Sequence, residues 1–136
     1  MMCEVKYKAY WHNSKLTTLV DTIDFLEGGI RVSDGCMHTG WAGSHCTLRQ
    51  YTGLKKDSHG KEVFEGDIIE AVFELLDGEL KTIMDRGVVV KKDYAFQVQT
   101  FEGPYDPLHE WERLSEELKV IGNIYENPEM LPEVTE

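Results

Sequence analysis

No stretch of this chain comes near the run of roughly 20 apolar residues that a membrane-crossing helix requires, so no membrane span is expected. The opening Met1-Met2-Cys3-Glu4-Val5-Lys6 lacks the apolar centre of a secretion signal, which places the chain in the cytoplasm as an expectation. Cysteine is scarce. Cys3, Cys36 and Cys46 make an odd set, which fits free thiols in a reducing compartment better than a disulfide framework. Positive charge is short as well: Lys and Arg number 14 against 25 Asp and Glu, a formal net charge of -11. That deficit disfavours a nucleic-acid backbone, which basic residues must neutralise, and adsorption to anionic lipid. The expected partner is therefore a protein with a basic surface, with self-association left open and neither nucleic acid nor membrane among the partners.

Catalytic signatures are missing from the linear sequence too. There is no G-x-S-x-G elbow, no local Ser/His/Asp grouping and no glycine loop placed to cradle phosphate. Gly53 and Gly60 flank Lys55-Lys56, but no strand-to-helix junction follows them. The chain reads as non-enzymatic and without a cofactor.

What is present is globular: 41% hydrophobic residues and 10% aromatic, well above a disordered composition. Val5, Tyr7, Ala9 and Trp11 alternate with Lys6 and Lys8, the period of a half-buried strand. Leu16 to Leu26 fits a strand or a short helix equally, and Gly28-Gly29 breaks it. Ile30 to Val32 and Thr47 to Tyr51 read as strands, with mostly loop from Gly35 to Ser44. Ile68 to Leu75 is a β-branched and aromatic run, turned at Leu76-Asp77-Gly78-Glu79 and returned by Leu80 to Met84. Gly87 to Val90, Tyr94 to Phe101 and Lys119 to Tyr125 complete the strands. Leu108, Trp111, Leu114 and Leu118 stand at helical spacing. The fold expected is mainly β: a β subdomain over residues 1–64 with a loop-rich segment, then a small SH3-like barrel with one short helix over residues 65–136, ending in an acidic tail.

The stretch Gln50 to Ala71, QYTGLKKDSHGKEVFEGDIIEA, is the least generic text. Gly53 and Gly60 suit turns that need positive φ, and Gly66-Asp67 suits a tight turn into the strand that follows. This wording closely resembles the signature of the YopX family, small proteins carried by phages and prophages. Lys6 to Trp11 resembles that family's opening strand, and Val120 to Glu129 its closing signature, while the likeness is weakest between Asn13 and His45. The resemblance implies a phage or prophage protein acting in the bacterial cytoplasm as a binding module. It carries over no catalytic residue.

Three constellations remain to be weighed. Cys36, His38, His45 and Cys46 are a soft-ligand cluster, but adjacent His45-Cys46 point to opposite sides in a strand, so no zinc is expected. Glu62, Glu65 and Asp67 form an acidic corner. A metal-dependent enzyme built on Glu65 and Asp67 is one alternative reading, against a turn in which Asp67 bonds backbone amides. Tyr51, Tyr94, Phe96, Tyr105 and Trp111 form a candidate aromatic binding surface, against the alternative that most are core. The acidic balance leaves a DNA-mimicking or anti-defence protein as a further alternative.

Overall fold

The alternation at the N-terminus is realised as β1 (Tyr7–Trp11), the central strand of an antiparallel sheet with β2 (Leu16–Leu19) and β6 (Cys46–Gln50) at its edges. In the computed structural model, which describes residues 6–53, 58–93 and 95–132, the chain forms two compact units, Met1–Gly53 and Leu54–Glu136. Leu16 to Leu26 resolves into two strands rather than a helix. Val20 N–H donates to the Tyr7 carbonyl at 3.0 Å, while the next residue, Asp21, donates to the Ser33 carbonyl at 2.8 Å. The chain changes sheet between them, and β3 (Thr22–Leu26) joins β4 (Gly29–Ser33) and β5 (Thr39–Trp41) in a second three-stranded sheet. β5 lies inside the stretch expected to be mostly loop. It is three residues long with a central glycine, too short for alternation to register. The two sheets share a small core of Ala9, Trp11, Val32 and Cys46, with Val20, Ile30, Ala42 and Leu48 packed against it.

The C-terminal unit is one open antiparallel sheet in the order β10-β9-β8-β7-β11, from β7 (Asp67–Asp77), β8 (Glu79–Lys92), β9 (Ala95–Thr100), β10 (Tyr105–Pro107) and β11 (Glu117–Asn123). The expected closed barrel does not form: among the described residues no ladder joins β10 to β11. β10 is only three residues long and ends in Pro107, which has no N–H to extend pairing. Instead the helix α1 (Leu108–Leu114) supplies Leu108 and Trp111 to a core with Val63, Ile69, Ala71, Val89, Val98 and Leu118. Burial of such a set, at roughly 25 cal/mol per Å² of apolar surface, is the main stabilising term of this unit.

The helix ends four residues before Leu118. Leu118 is taken into β11 opposite Ala71, and Glu116 N–H already donates to the Val72 carbonyl at 2.7 Å. Leu80 to Met84 and Gly87 to Val90, read as separate segments, are one continuous strand. A Cβ at Gly87 would run into the Val98 side chain and the Gln99 carbonyl, so the glycine lets β8 lie against β9. Val63, assigned to the N-terminal half from sequence, belongs to the second core. The preceding segment is tied there by Ser58, whose N–H donates to the Leu118 carbonyl at 2.7 Å and whose hydroxyl accepts Leu118 N–H at 2.8 Å. Gly66 has φ 89°, its N–H donates to Val89 and its carbonyl accepts from Ile124. Asp67 is buried, and its Oδ2 accepts Phe64 N–H at 2.8 Å. Among the described residues no helix is long and apolar enough to cross a membrane.

Candidate functional site

The side chains with chemistry gather in the N-terminal unit, in a cleft of about 330 Å³ lined by Trp11, His12, Asn13, Ser14, Met37, His38, Thr39, Ser44 and His45. Two turns build it. The first, between β1 and β2, closes when Lys15 N–H donates to the Trp11 carbonyl at 2.8 Å, with Lys15 itself at φ 60°. The second lies between β4 and β5 and is organised by Asp34. Asp34 Oδ1 accepts the backbone N–H groups of Cys36 and His38, each at 2.9 Å, the Asx-turn that a Ser-Asp-Gly sequence favours. Its Oδ2 lies 2.8 Å from His38 Nδ1.

The three imidazoles differ in their bonding. Because an ionised carboxylate only accepts, neutral His38 carries its proton on Nδ1, leaving the Nε2 lone pair 3.3 Å from Ser14 Oγ. The His38 ring is stacked on Trp11, with centroids 5.2 Å apart and planes inclined by 27°. His12 is held by the Ser44 carbonyl at Nδ1 (3.3 Å) and the Thr47 hydroxyl at Nε2 (2.8 Å), so both its nitrogens are satisfied. His45 accepts Trp41 N–H at Nδ1 (2.8 Å), which puts its own proton, when neutral, on Nε2. Gly40 makes room for that ring: a Cβ there would sit 2.7 Å from the His45 Cβ. The Asp34 carboxyl is held down at about 2, chiefly by the His38 backbone N–H against the opposing effect of burial, with the Cys36 N–H and the His38 ring adding to the lowering. The cluster Asp34–His38–Ser14 therefore has a carboxylate, an oriented imidazole and a hydroxyl in the order that base-assisted nucleophiles use.

Linear reading did not find this grouping. Ser14 and His38 are 24 residues apart, on turns of two different sheets, and meet where those sheets pack over their shared core. Asp34 and His38 were within reach of inference, since an Asx-turn residue four positions before a histidine faces its ring.

The four soft ligands take separate roles. Cys36 is exposed, and Cys46 is buried in β6 with its thiol pushed up by burial. The nearer nitrogens of His38 and His45 already bond Asp34 and Trp41. Among the described residues no group of three or more His, Cys, Asp or Glu is placed to hold a metal ion.

The aromatic set is divided between the units. Tyr51 is buried at the end of the first, with Lys6 Nζ 5.4 Å from its ring centroid. In the second, Trp111 is core: it meets Phe73 edge-on at 5.4 Å and donates from Nε1 to Asp106 at 3.1 Å. Phe96 is half-buried against that core under Lys91, and Tyr105 is exposed with Lys92 Nζ 3.7 Å over its ring. Tyr94 lies outside the described residues, as do Cys3, Lys55 and Lys56. Gly53 and Gly60 both have positive φ, 86° and 85°.

These features define a two-unit, mainly β protein of open antiparallel sheets. The chain belongs to the YopX family: the family described as YopX protein matches residues 5–132. The crystal structure of protein EF1440 from Enterococcus faecalis is similar in fold, with a TM-score of 0.59 and 23% identity over 96% of this chain and 100% of that one. No curated protein sequence matches the chain.

Proposed function

We propose that this protein is an interaction module that binds a partner through the arm formed by the far halves of β7 and β8. The observation that supports this is a mismatch of strand lengths. β11 pairs with β7 only as far as Val72, and β9 pairs with β8 only as far as Gly87. Beyond them β7 and β8 pair only with each other, through Phe73–Ile83 to Asp77–Glu79, and both outer backbone edges lack a neighbouring strand among the described residues. Natural proteins usually blunt such edges. This one adds apolar side chains to them: Leu76 is 82% exposed, Leu80 66% and Met84 59%, with Leu75 and Ile83 exposed beside them.

An edge of this kind accepts an added strand, with backbone bonds giving affinity and side chains giving choice. Glu74 and Glu79 outnumber Lys81 between Phe73 and Ile83, so the occupant is an extended segment of a partner protein with apolar and basic residues. In this reading the second unit does no chemistry of its own. The phage or prophage setting and the bacterial cytoplasm, implied by the family signature, belong to the same reading. An acidic DNA mimic and a metal enzyme at Glu65 and Asp67 are less well supported. Asp67 is bonded to Phe64 N–H in a turn, as a structural residue would be.

The test is capture of partners from bacterial lysate with the wild-type chain and with Leu76→Glu/Leu80→Glu. The expected outcome is a bound protein that elutes with salt and is lost from the variant. Equal capture by a folded variant refutes the arm.

A further inference from the structure

Beyond the interaction reading, and in the other unit, the geometry points to a reactive serine: we propose that Ser14, His38 and Asp34 form a nucleophilic relay that accepts the acyl group of small uncharged esters. The relay is built in the order the chemistry needs. Asp34 Oδ2 fixes the proton on His38 Nδ1 at 2.8 Å, and Nε2 faces the Ser14 hydroxyl at 3.3 Å. Catalytic hydrogen bonds of this length in an unliganded site shorten when substrate arrives. The imidazole is held on one face by Trp11 and at one edge by an Asx-turn whose carboxylate has three bonds. Ser14 is exposed on its turn, at the wall of the cleft.

The rest of the cleft suits an uncharged ester. None of its lining residues is Asp, Glu, Lys or Arg, although the chain as a whole carries a net charge of -11. Trp11 and Met37 supply apolar wall. Donors for a developing oxyanion are also available. His45, with Nδ1 occupied by Trp41 N–H, presents its proton on Nε2. The backbone N–H groups of Asn13 and Ser14 have no protein acceptor among the described residues. Donors placed at the developing oxyanion commonly make the largest contribution to acyl-transfer rates.

The step balances as follows. Ser14 Oγ bonds to the ester carbonyl carbon as its proton passes to His38 Nε2, and the carbonyl oxygen takes up the negative charge. The carbonyl re-forms as the bond to the alkoxy oxygen breaks, and the alcohol leaves with the proton from His38. Water then attacks the acyl-serine, giving its proton to the same nitrogen, and releases the carboxylic acid and free Ser14.

The alternative is that the Ser14 hydroxyl only satisfies the outer nitrogen of a loop-pinning histidine, and the experiment separates the two. The full chain is treated with a fluorophosphonate probe, followed by intact mass and peptide mapping, and assayed with p-nitrophenyl acetate. The expected result is a single adduct on Ser14, absent in Ser14→Ala, with labelling and ester turnover slowed about 100-fold or more in His38→Gln, the scale a general base contributes. Leu76→Glu/Leu80→Glu should label like wild type, since the arm plays no part. If His38→Gln fails to fold, the comparison of wild type with Ser14→Ala still decides. No adduct on wild type, an adduct elsewhere, equal labelling of Ser14→Ala, or an unchanged rate in folded His38→Gln each overturns the proposal.

Discussion

The two units divide labour in a way that their secondary structure alone would not suggest, since both are antiparallel β. The C-terminal unit places apolar side chains from four strands (β7, β8, β9 and β11), a helix and the approach to Gly66 in one core. The N-terminal unit has a core of Ala9, Trp11, Val32 and Cys46, and holds its turns with side-chain hydrogen bonds from Asp34, His12, His38 and His45. A unit held by apolar packing tolerates surface change. A unit held by polar turns ties its stability to the same residues that line its cleft. The comparison predicts that core variants act strongly on one unit and polar variants act on the other.

The largest effect should come from Trp111→Ala. Trp111 is buried, packed edge-on to Phe73, and is the main contribution of α1 to the core. Truncating such a residue costs about 3–5 kcal/mol. Denaturant unfolding, resolved by amide exchange, should show that loss for β7, β8 and β9 with β1 and β6 unchanged. A loss below ~1 kcal/mol would mean that α1 is an ornament on the sheet.

A smaller effect, still in the second unit, is expected at the turn before β7. Asp67→Ala leaves Phe64 N–H without its Oδ2 acceptor in a buried setting, a cost of about 1–3 kcal/mol. Gly66→Val forces a β-branched residue to φ 89° and should cost ~1 kcal/mol or more. Thermal melts of both variants check the pair, and wild-type melting of Asp67→Ala would remove Asp67 from the turn's support.

The same contrast explains what could be read from the sequence. The apolar alternations that make β1, β6 and β7 are local and survive any fold they enter, so those strands and their turns were visible. Trp111 at helical spacing was visible as part of a helix. The length of that helix was not, because Leu118 satisfies a helical period and a strand register equally well, and Ala71 across the ladder decides between them. Whether the sheet would close was also hidden, since it depends on how far β10 extends. The cleft was least legible of all. Ser14, Asp34 and His38 come from two turns on different sheets, and polar residues in turns have no period. Their meeting is a property of how the two sheets pack over their shared core.

The smallest predicted effect is on acid stability, and it distinguishes the units by residue. Folding lowers the Asp34 carboxyl from 3.8 to about 2, chiefly through the His38 backbone N–H. A group whose folded value lies below its unfolded one contributes stability that is complete above the unfolded value and is lost as pH falls through the folded one. For Asp34 that window runs from about pH 4 down to about pH 2. Glu70 behaves likewise in the second unit. Burial, the largest influence, raises its carboxyl, but Arg86 at 2.7 Å and Lys119 at 3.3 Å on the flanking strands together outweigh it, and the net direction is down. Its contribution falls away as pH drops below the ordinary glutamate range. Asp34→Asn cannot titrate, so the acid slope of the N-terminal unit should flatten while that of the C-terminal unit is unchanged, and Glu70→Gln should do the reverse. Amide exchange of β4 and of β7, followed from pH 5 to pH 2, reads both at once. An Asp34→Asn chain whose β4 amides keep the wild-type dependence on pH would show that the Asx-turn does not hold the first unit together, and the contrast drawn between the units would then rest on core size alone.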